Sequence, residues 1–151
     1  MQGLLIRKRF TLLIPVMVTL LLALAGGSAE AEDAQWHTRF WNNTHFGGDP
    51  VHERYDNTID FDWGDGSPSK HVSDDNFSAK WRRNVNFQPG VYRFTATMDD
   101  GMRVYIDDDL IIDSWTDSQE HTVTKDVYVS GGEHRVKVDY YEVGGKAAVS
   151  Y

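Results

Sequence analysis

Apolar and polar residues alternate along most of the chain after residue 76. In the segment 134–141, His134, Val136, Val138 and Tyr140 fall on one face of an extended strand, and the residues between them fall on the other. The same pattern predicts strands at Phe77–Phe87, Val91–Met98, Met102–Ile106, Leu110–Ile112, His121–Val129 and His134–Tyr141. Turns rich in Gly and Asp separate these strands. Short strands without a helical period predict an all-β domain, an antiparallel β-sandwich or barrel.

The pattern is less regular at the two ends of this β region. Residues 36–75 are rich in aromatic residues, Gly, Asn and Asp, and we interpret them as a first strand followed by long loops. The closing residues 147–151 are predicted to form the last strand. Long loops on a β scaffold often carry the residues that bind ligands.

The first residues have the organisation of a secretory signal peptide. A basic segment precedes an apolar run, Thr11–Leu24, and small residues in Ala-x-Ala patterns follow, which predicts cleavage after Ala25 or Ala31. An uncleaved membrane anchor is the alternative, but the run is shorter than the roughly 20 residues of a spanning helix. We therefore predict a signal peptide at 1–31, a β domain at 32–151, and a secreted or cell-surface protein that does not insert in the membrane after cleavage.

Composition narrows the classes of partner. The formal net charge is −8, and the chain has no cysteine. An acidic surface repels nucleic acid and anionic membranes, and it suits divalent cations or neutral ligands such as glycans. No sequence motif of a nucleophile with its base is present, so we predict a non-catalytic, monomeric module without disulfides.

Two clusters of aspartate stand between predicted strands. Asp107, Asp108 and Asp109 lie between two apolar positions and favour a hairpin turn, because Asp tolerates turn geometry. Asp99 and Asp100 precede a glycine, and they are either a turn or a metal site. Adjacent side chains diverge in an extended strand, so a metal site there requires an unusual peptide conformation.

Three stretches of the sequence resemble one known family. The segments FDWGDGSP, FSAKWRRNVNFQPGVYRFTATMDDGMRVYIDDDLIIDSW and SGGEHRVKVDYYEVGGKAAVSY are similar to the PA-fourteen domain, named after the anthrax protective antigen. The resemblance extends from Trp36 to Tyr151. It implies an antiparallel β-sandwich or barrel and a role in extracellular carbohydrate binding, often through calcium.

The resemblance also implies a set of calcium ligands. In sugar-binding members such as yeast adhesins, two adjacent aspartates joined by a cis peptide bind calcium, and they match Asp99 and Asp100. Glu142 stands where the adhesins have Asn, so it adds a negative charge to the expected site. Backbone carbonyl groups around Gly144 and Lys146 would complete the ligand set.

The sugar contacts implied by the resemblance are Asp113, Trp115 and Gly101. Trp115 is either a packing residue or a platform for a sugar ring. The resulting hypothesis is a secreted, calcium-dependent carbohydrate-binding module for glycan recognition or adhesion, without catalysis of its own, although such domains accompany secreted enzymes. The alternative is a structural or protein-interaction module of the cell surface in which calcium braces loops.

Overall fold

The computed structural model describes residues 35–151, which form ten β-strands and the segments that connect them. The predicted signal peptide lies outside these residues. Among residues 35–151 there is no helix of the length and apolarity that crossing a bilayer requires. The strands are β1 (Trp36–Trp41), β2 (His52–Asp56), β3 (Asp60–Gly64), β4 (Phe77–Phe87), β5 (Gly90–Asp99), β6 (Gly101–Ile106), β7 (Asp109–Ser114), β8 (His121–Val129), β9 (Gly132–Glu142) and β10 (Ala147–Ser150).

The strands form two antiparallel sheets. One has six strands in the order β2-β1-β4-β9-β6-β7, and the other has four in the order β3-β10-β5-β8. The predicted antiparallel fold is confirmed, and β4 and β8 have the predicted bounds. β4 and β9 are the longest strands, and they pair over their full length in the middle of the larger sheet, from Phe77 opposite Glu142 to Phe87 opposite Gly132.

The prediction of long loops in residues 36–75 was wrong for two segments. β2 and β3 are edge strands that pair with β1 and β10 respectively, and an edge strand requires few apolar residues. β2 is instead held by a polar contact at its end. The Asp56 carboxylate accepts hydrogen bonds from the Thr38 hydroxyl at 2.6 Å and from the Trp81 indole at 3.2 Å.

The core lies between the two sheets and is rich in aromatic residues. Trp81, Phe40 and Tyr140 are fully buried, together with Met98 and Met102. Trp81 packs edge-on against Phe40 and tilted against Tyr140, with ring centroids 6.2 and 6.3 Å apart. Burial of each large apolar side chain contributes roughly 1.5–3 kcal/mol, so this cluster stabilises the contact between the sheets.

The second aspartate cluster is the β6–β7 hairpin turn, as predicted. Asp107 and Asp108 have φ angles of 49° and 73°, a left-handed conformation that Asp tolerates. The Asp107 carboxylate accepts a hydrogen bond from the backbone N–H of Arg135 at 2.8 Å. This bond, reinforced by His134, lowers the pKa of Asp107. The carboxylates of this cluster therefore fasten a turn to β9.

Candidate functional site

Besides the β3–β4 connection (residues 65–76), three connections pass from one sheet to the other at the same end of the sandwich. β5 continues into β6 through Asp100, β7 is joined to β8 by residues 115–120, and β9 is joined to β10 by residues 143–146. These connections are far apart in the sequence. Because all three connections lie at this end of the sandwich, the fold brings their polar groups together.

Three carboxylates converge at this end. Asp99, Asp100 and Glu142 each place one oxygen within 4.8 Å of the others, and the peptide bond between the two aspartates is cis. Asp100 is 7% exposed and Glu142 is fully buried, whereas Asp99 is half-buried. Oε1 of Glu142 is buried without a hydrogen-bond partner. Such an oxygen is costly unless something coordinates it.

Asp100 fixes the two neighbouring connections. Its Oδ1 accepts a hydrogen bond from the backbone N–H of Ser118 at 3.0 Å, and its Oδ2 accepts one from the N–H of Val143 at 2.9 Å. One side chain thus ties the 115–120 and 143–146 connections to the end of β5. The carboxylate is held in place by backbone donors and keeps further lone pairs.

The acidic groups repel each other. Burial, with the negative charge of Asp100 adding to it, raises the pKa of Glu142 to about 7. The same two causes raise the pKa of Asp99. The Tyr140 hydroxyl donates to the backbone carbonyl of Asp99 and lies 3.3 Å from Oε2 of Glu142, but it carries no charge. Within residues 35–151, no Lys or Arg side chain forms a salt bridge with these three acids, and their oxygen atoms fit a hard divalent cation such as calcium.

An open depression of about 310 Å³ adjoins the carboxylates. Its lining consists of Asp99, Asp100, Ser118, Gln119, Gly144 and Lys146. Gly144 and Lys146 therefore lie beside the aspartates, where the resemblance puts them. Ser118 and Gln119 were not predicted, because they stand in a polar loop whose sequence has no motif.

The three residues expected to contact sugar lie outside this lining. Gly101 is buried, and a Cβ atom there would be 2.2 Å from a ring carbon of Tyr141. Trp115 is half-buried and packs against Tyr141 with ring centroids 4.6 Å apart, and the Arg103 guanidinium lies 4.7 Å from its centroid. Asp113 pairs with Arg103 at 2.8 Å. Gly101 and Trp115 thus pack against Tyr141 and Asp113 pairs with Arg103, and a role of these residues in sugar contact stays a prediction.

A second depression, of about 370 Å³, lies at the opposite end of the sandwich between β7 and β8. Apolar side chains including Ile111 and Val127 form much of its wall. The polar groups there bind one another: His134 Nδ1 lies 2.5 Å from Asp107, and His134 Nε2 lies 3.1 Å from the Ser130 hydroxyl. Because these groups have partners, we assign the candidate site to the acidic end.

Other proteins are similar to this chain in sequence and in fold. Anti-sigma-I factor RsgI3 from Acetivibrio thermocellus is 34% identical over 80 residues, which are 52% of this chain and 12% of that protein. The chain thus spans a small part of that relative's length.

Two solved structures are similar over most of the described residues. An anti-sigma factor domain-containing protein has a TM-score of 0.70 and 29% identity, covering 76% of this chain and 40% of its own. The PA14 sugar-binding domain from an RTX adhesin has a TM-score of 0.68 and 15% identity, covering 77% of this chain and 86% of its own, a likeness of fold. The family model of the PA14 domain matches residues 36–150, and the chain therefore belongs to the PA14, or PA-fourteen, domain family.

Proposed function

We propose that this chain is a calcium-dependent glycan-binding module that acts outside the cell and has no catalytic activity of its own. The observation that carries the proposal is the convergence of Asp99, Asp100 and Glu142 beside an open depression. PA14 domains are often carbohydrate-binding, which is consistent with this assignment.

The ligand set suits calcium. Calcium takes 6–8 oxygen ligands from carboxylates, backbone carbonyls and water in flexible geometry. Asp99, Asp100 and Glu142 would supply the carboxylate oxygens, and the connection that contains Gly144 and Lys146 would supply backbone carbonyls. The unpartnered Oε1 of Glu142 supports this assignment, because a bound cation would satisfy it.

Glycan binding would use the depression beside these acids. When bound, calcium would offer its remaining coordination positions to neighbouring hydroxyl groups of a sugar. Ser118 and Gln119 line the same depression and carry side chains that both donate and accept hydrogen bonds. Ser118 is already fixed by Asp100, so it would present a preorganised contact.

A structural or protein-interaction module is the second candidate. It is favoured by the full burial of Glu142, which directs a charged ligand inward, away from solvent. The similar proteins named as anti-sigma factors add weight to it. In that case calcium would brace the connections between the sheets, and the depression would take no sugar.

A calcium titration tests the metal site. We expect a one-site isotherm by calorimetry and a higher melting temperature in calcium than in chelator, because a ligand that binds the folded state stabilises it. Asp99→Ala should abolish both effects. Asp108→Asn, in the exposed β6–β7 turn, is the matched control and should retain them. Equal losses in the two variants would contradict the assignment.

A glycan array separates the two candidate functions. Binding that disappears in chelator and in Asp99→Ala would support calcium-dependent glycan recognition. Binding that persists in chelator would remove calcium from recognition. A normal calcium isotherm with no bound glycan would favour the structural or protein-interaction module.

A further inference from the structure

A lysine and an aspartate face each other on the outer side of the larger sheet. Lys80 in β4 and Asp139 in β9 are register partners, and Lys80 Nζ lies 3.7 Å from Asp139 Oδ1. Their side chains are 19% and 10% exposed, although they point away from the core. The Phe46 ring lies over the Lys80 amine, with its centroid 4.3 Å from Nζ, and Trp41 packs edge-on against Phe46.

This pair lacks the hydrogen bond that an ordinary salt bridge contains. Asp139 Oδ1 is buried without a hydrogen-bond partner, since 3.7 Å is too long for one. Burial raises the pKa of Asp139 and lowers the pKa of Lys80. The positive charges of Lys80 and Lys137 act in the opposite direction on Asp139, but their effect is smaller. Both groups are therefore shifted toward their neutral forms, a free amine and a carboxylic acid.

We propose that Lys80 and Asp139 form an intramolecular isopeptide bond that links β4 to β9. The lone pair of Nζ attacks Cγ of the protonated Asp139 carboxyl, and a C–N bond forms. The C–O bond to the hydroxyl breaks, and the hydroxyl leaves with one proton of the amine as water. A neutral amine and a neutral acid give a neutral amide and water, so the step requires neither oxidant nor cofactor.

Two physical effects favour the bond at this position. The strand pairing holds the two groups near each other. Well-oriented groups within one molecule react as if one were present at an effective concentration of about 10⁵ M or more. The amide also replaces two buried ionisable groups with one neutral group, which is less costly to bury. The bond would clamp the two middle strands of the larger sheet, one of which ends at Glu142.

Mass spectrometry of the purified full-length protein tests this proposal. The intact mass should be lower by one water per chain than the mass calculated for the residues that remain after any cleavage of the signal peptide. Trypsin does not cleave at an acylated lysine, so digestion should give residues 71–82 joined to residues 138–146. Lys80→Arg and Asp139→Ala should each restore the full sequence mass. Lys137→Arg should keep the loss of water.

Lys137 and Asp108 provide an internal comparison, because they lie 3.9 Å apart and the Asp108 side chain is 65% exposed. The exposed Asp108 carboxylate is in contact with water and already accepts a hydrogen bond from the Arg135 guanidinium, so no bond to Lys137 is expected. A full-length protein with the unchanged sequence mass would overturn the proposal. So would a loss of water confined to residues 138–146, which indicates a succinimide, or a link between Lys137 and Asp108.

Discussion

Replacing Glu142 with glutamine should change stability in opposite directions with and without calcium. Glu142 is fully buried, and its pKa is raised from an ordinary 4.5 to about 7 by burial and by Asp100. A difference of this size corresponds to roughly 3 kcal/mol, which the ionised carboxylate costs the folded, metal-free protein. Glutamine has nearly the same shape and no charge. In chelator at pH 8, we therefore expect Glu142→Gln to be more stable than the wild type by up to roughly 3 kcal/mol.

The pH dependence gives the sign of the effect. The folded protein holds the Glu142 proton more tightly than the unfolded chain, so this carboxyl lowers stability as pH rises from about 4.5 to 7. The advantage of the variant should accordingly shrink toward zero at pH 5, where the wild type is protonated. In calcium the order should reverse. At a thousandfold excess over Kd the wild type gains about 4.1 kcal/mol, more than the roughly 3 kcal/mol that separates the two proteins in chelator. The variant has one carboxylate fewer, and we expect it to gain less than about 1 kcal/mol.

Urea denaturation followed by tryptophan fluorescence, at pH 5 and pH 8, with calcium and with chelator, measures these differences. Glu133→Gln, at an exposed position near the start of β9, is the matched control, and it should stay within about 0.5 kcal/mol of the wild type. If Glu142→Gln is the less stable protein in chelator at pH 8, the carboxylate is a structural hydrogen-bonding group and the reasoning is refuted.

Two further substitutions test the packing around the site and the edge of the sheet. Asp56→Ala leaves the buried indole N–H of Trp81 without an acceptor, and it should lower the free energy of unfolding by about 2–4 kcal/mol in urea denaturation. Gly101→Ala places a Cβ atom against the ring of Tyr141, so we expect the free energy of unfolding to fall by at least about 1–3 kcal/mol and calcium binding to be weaker by calorimetry. Gly90→Ala is the control: a Cβ atom there would be 3.9 Å from its nearest neighbour, and neither quantity should change.

Some parts of the fold followed from local sequence, and others did not. The alternating pattern of β4 and β8 predicted their bounds, because each strand has one face on the core. The chemistry of Asp predicted the turn at Asp107 and Asp108. β2 and β3 escaped prediction because polar edge strands lack that alternation, and the contact that holds β2 comes from Trp81 in another strand.

The candidate site could not be predicted from the alternation of apolar and polar residues. Alternation alone separates the side chains of Asp99 and Asp100, and their convergence was expected from the resemblance to a family. The involvement of Ser118 and Gln119 had no local signal. These two residues reach the site because the β7–β8 connection starts at the edge where β5 ends and β9 ends.

The sequence by itself determined an acidic, cysteine-free β domain, the place of most strands, and the turns between them, because these depend on neighbouring residues. The tertiary structure decided which charged groups are buried. Alternation puts Lys80 and Asp139 on the outer face of the sheet, where solvent is expected, yet both side chains are largely buried, and Phe46 from the β1–β2 loop lies over the Lys80 amine. Burial shifts the pKa of a charged group, and burial depends on the side chains that pack over that group, which no local pattern encodes.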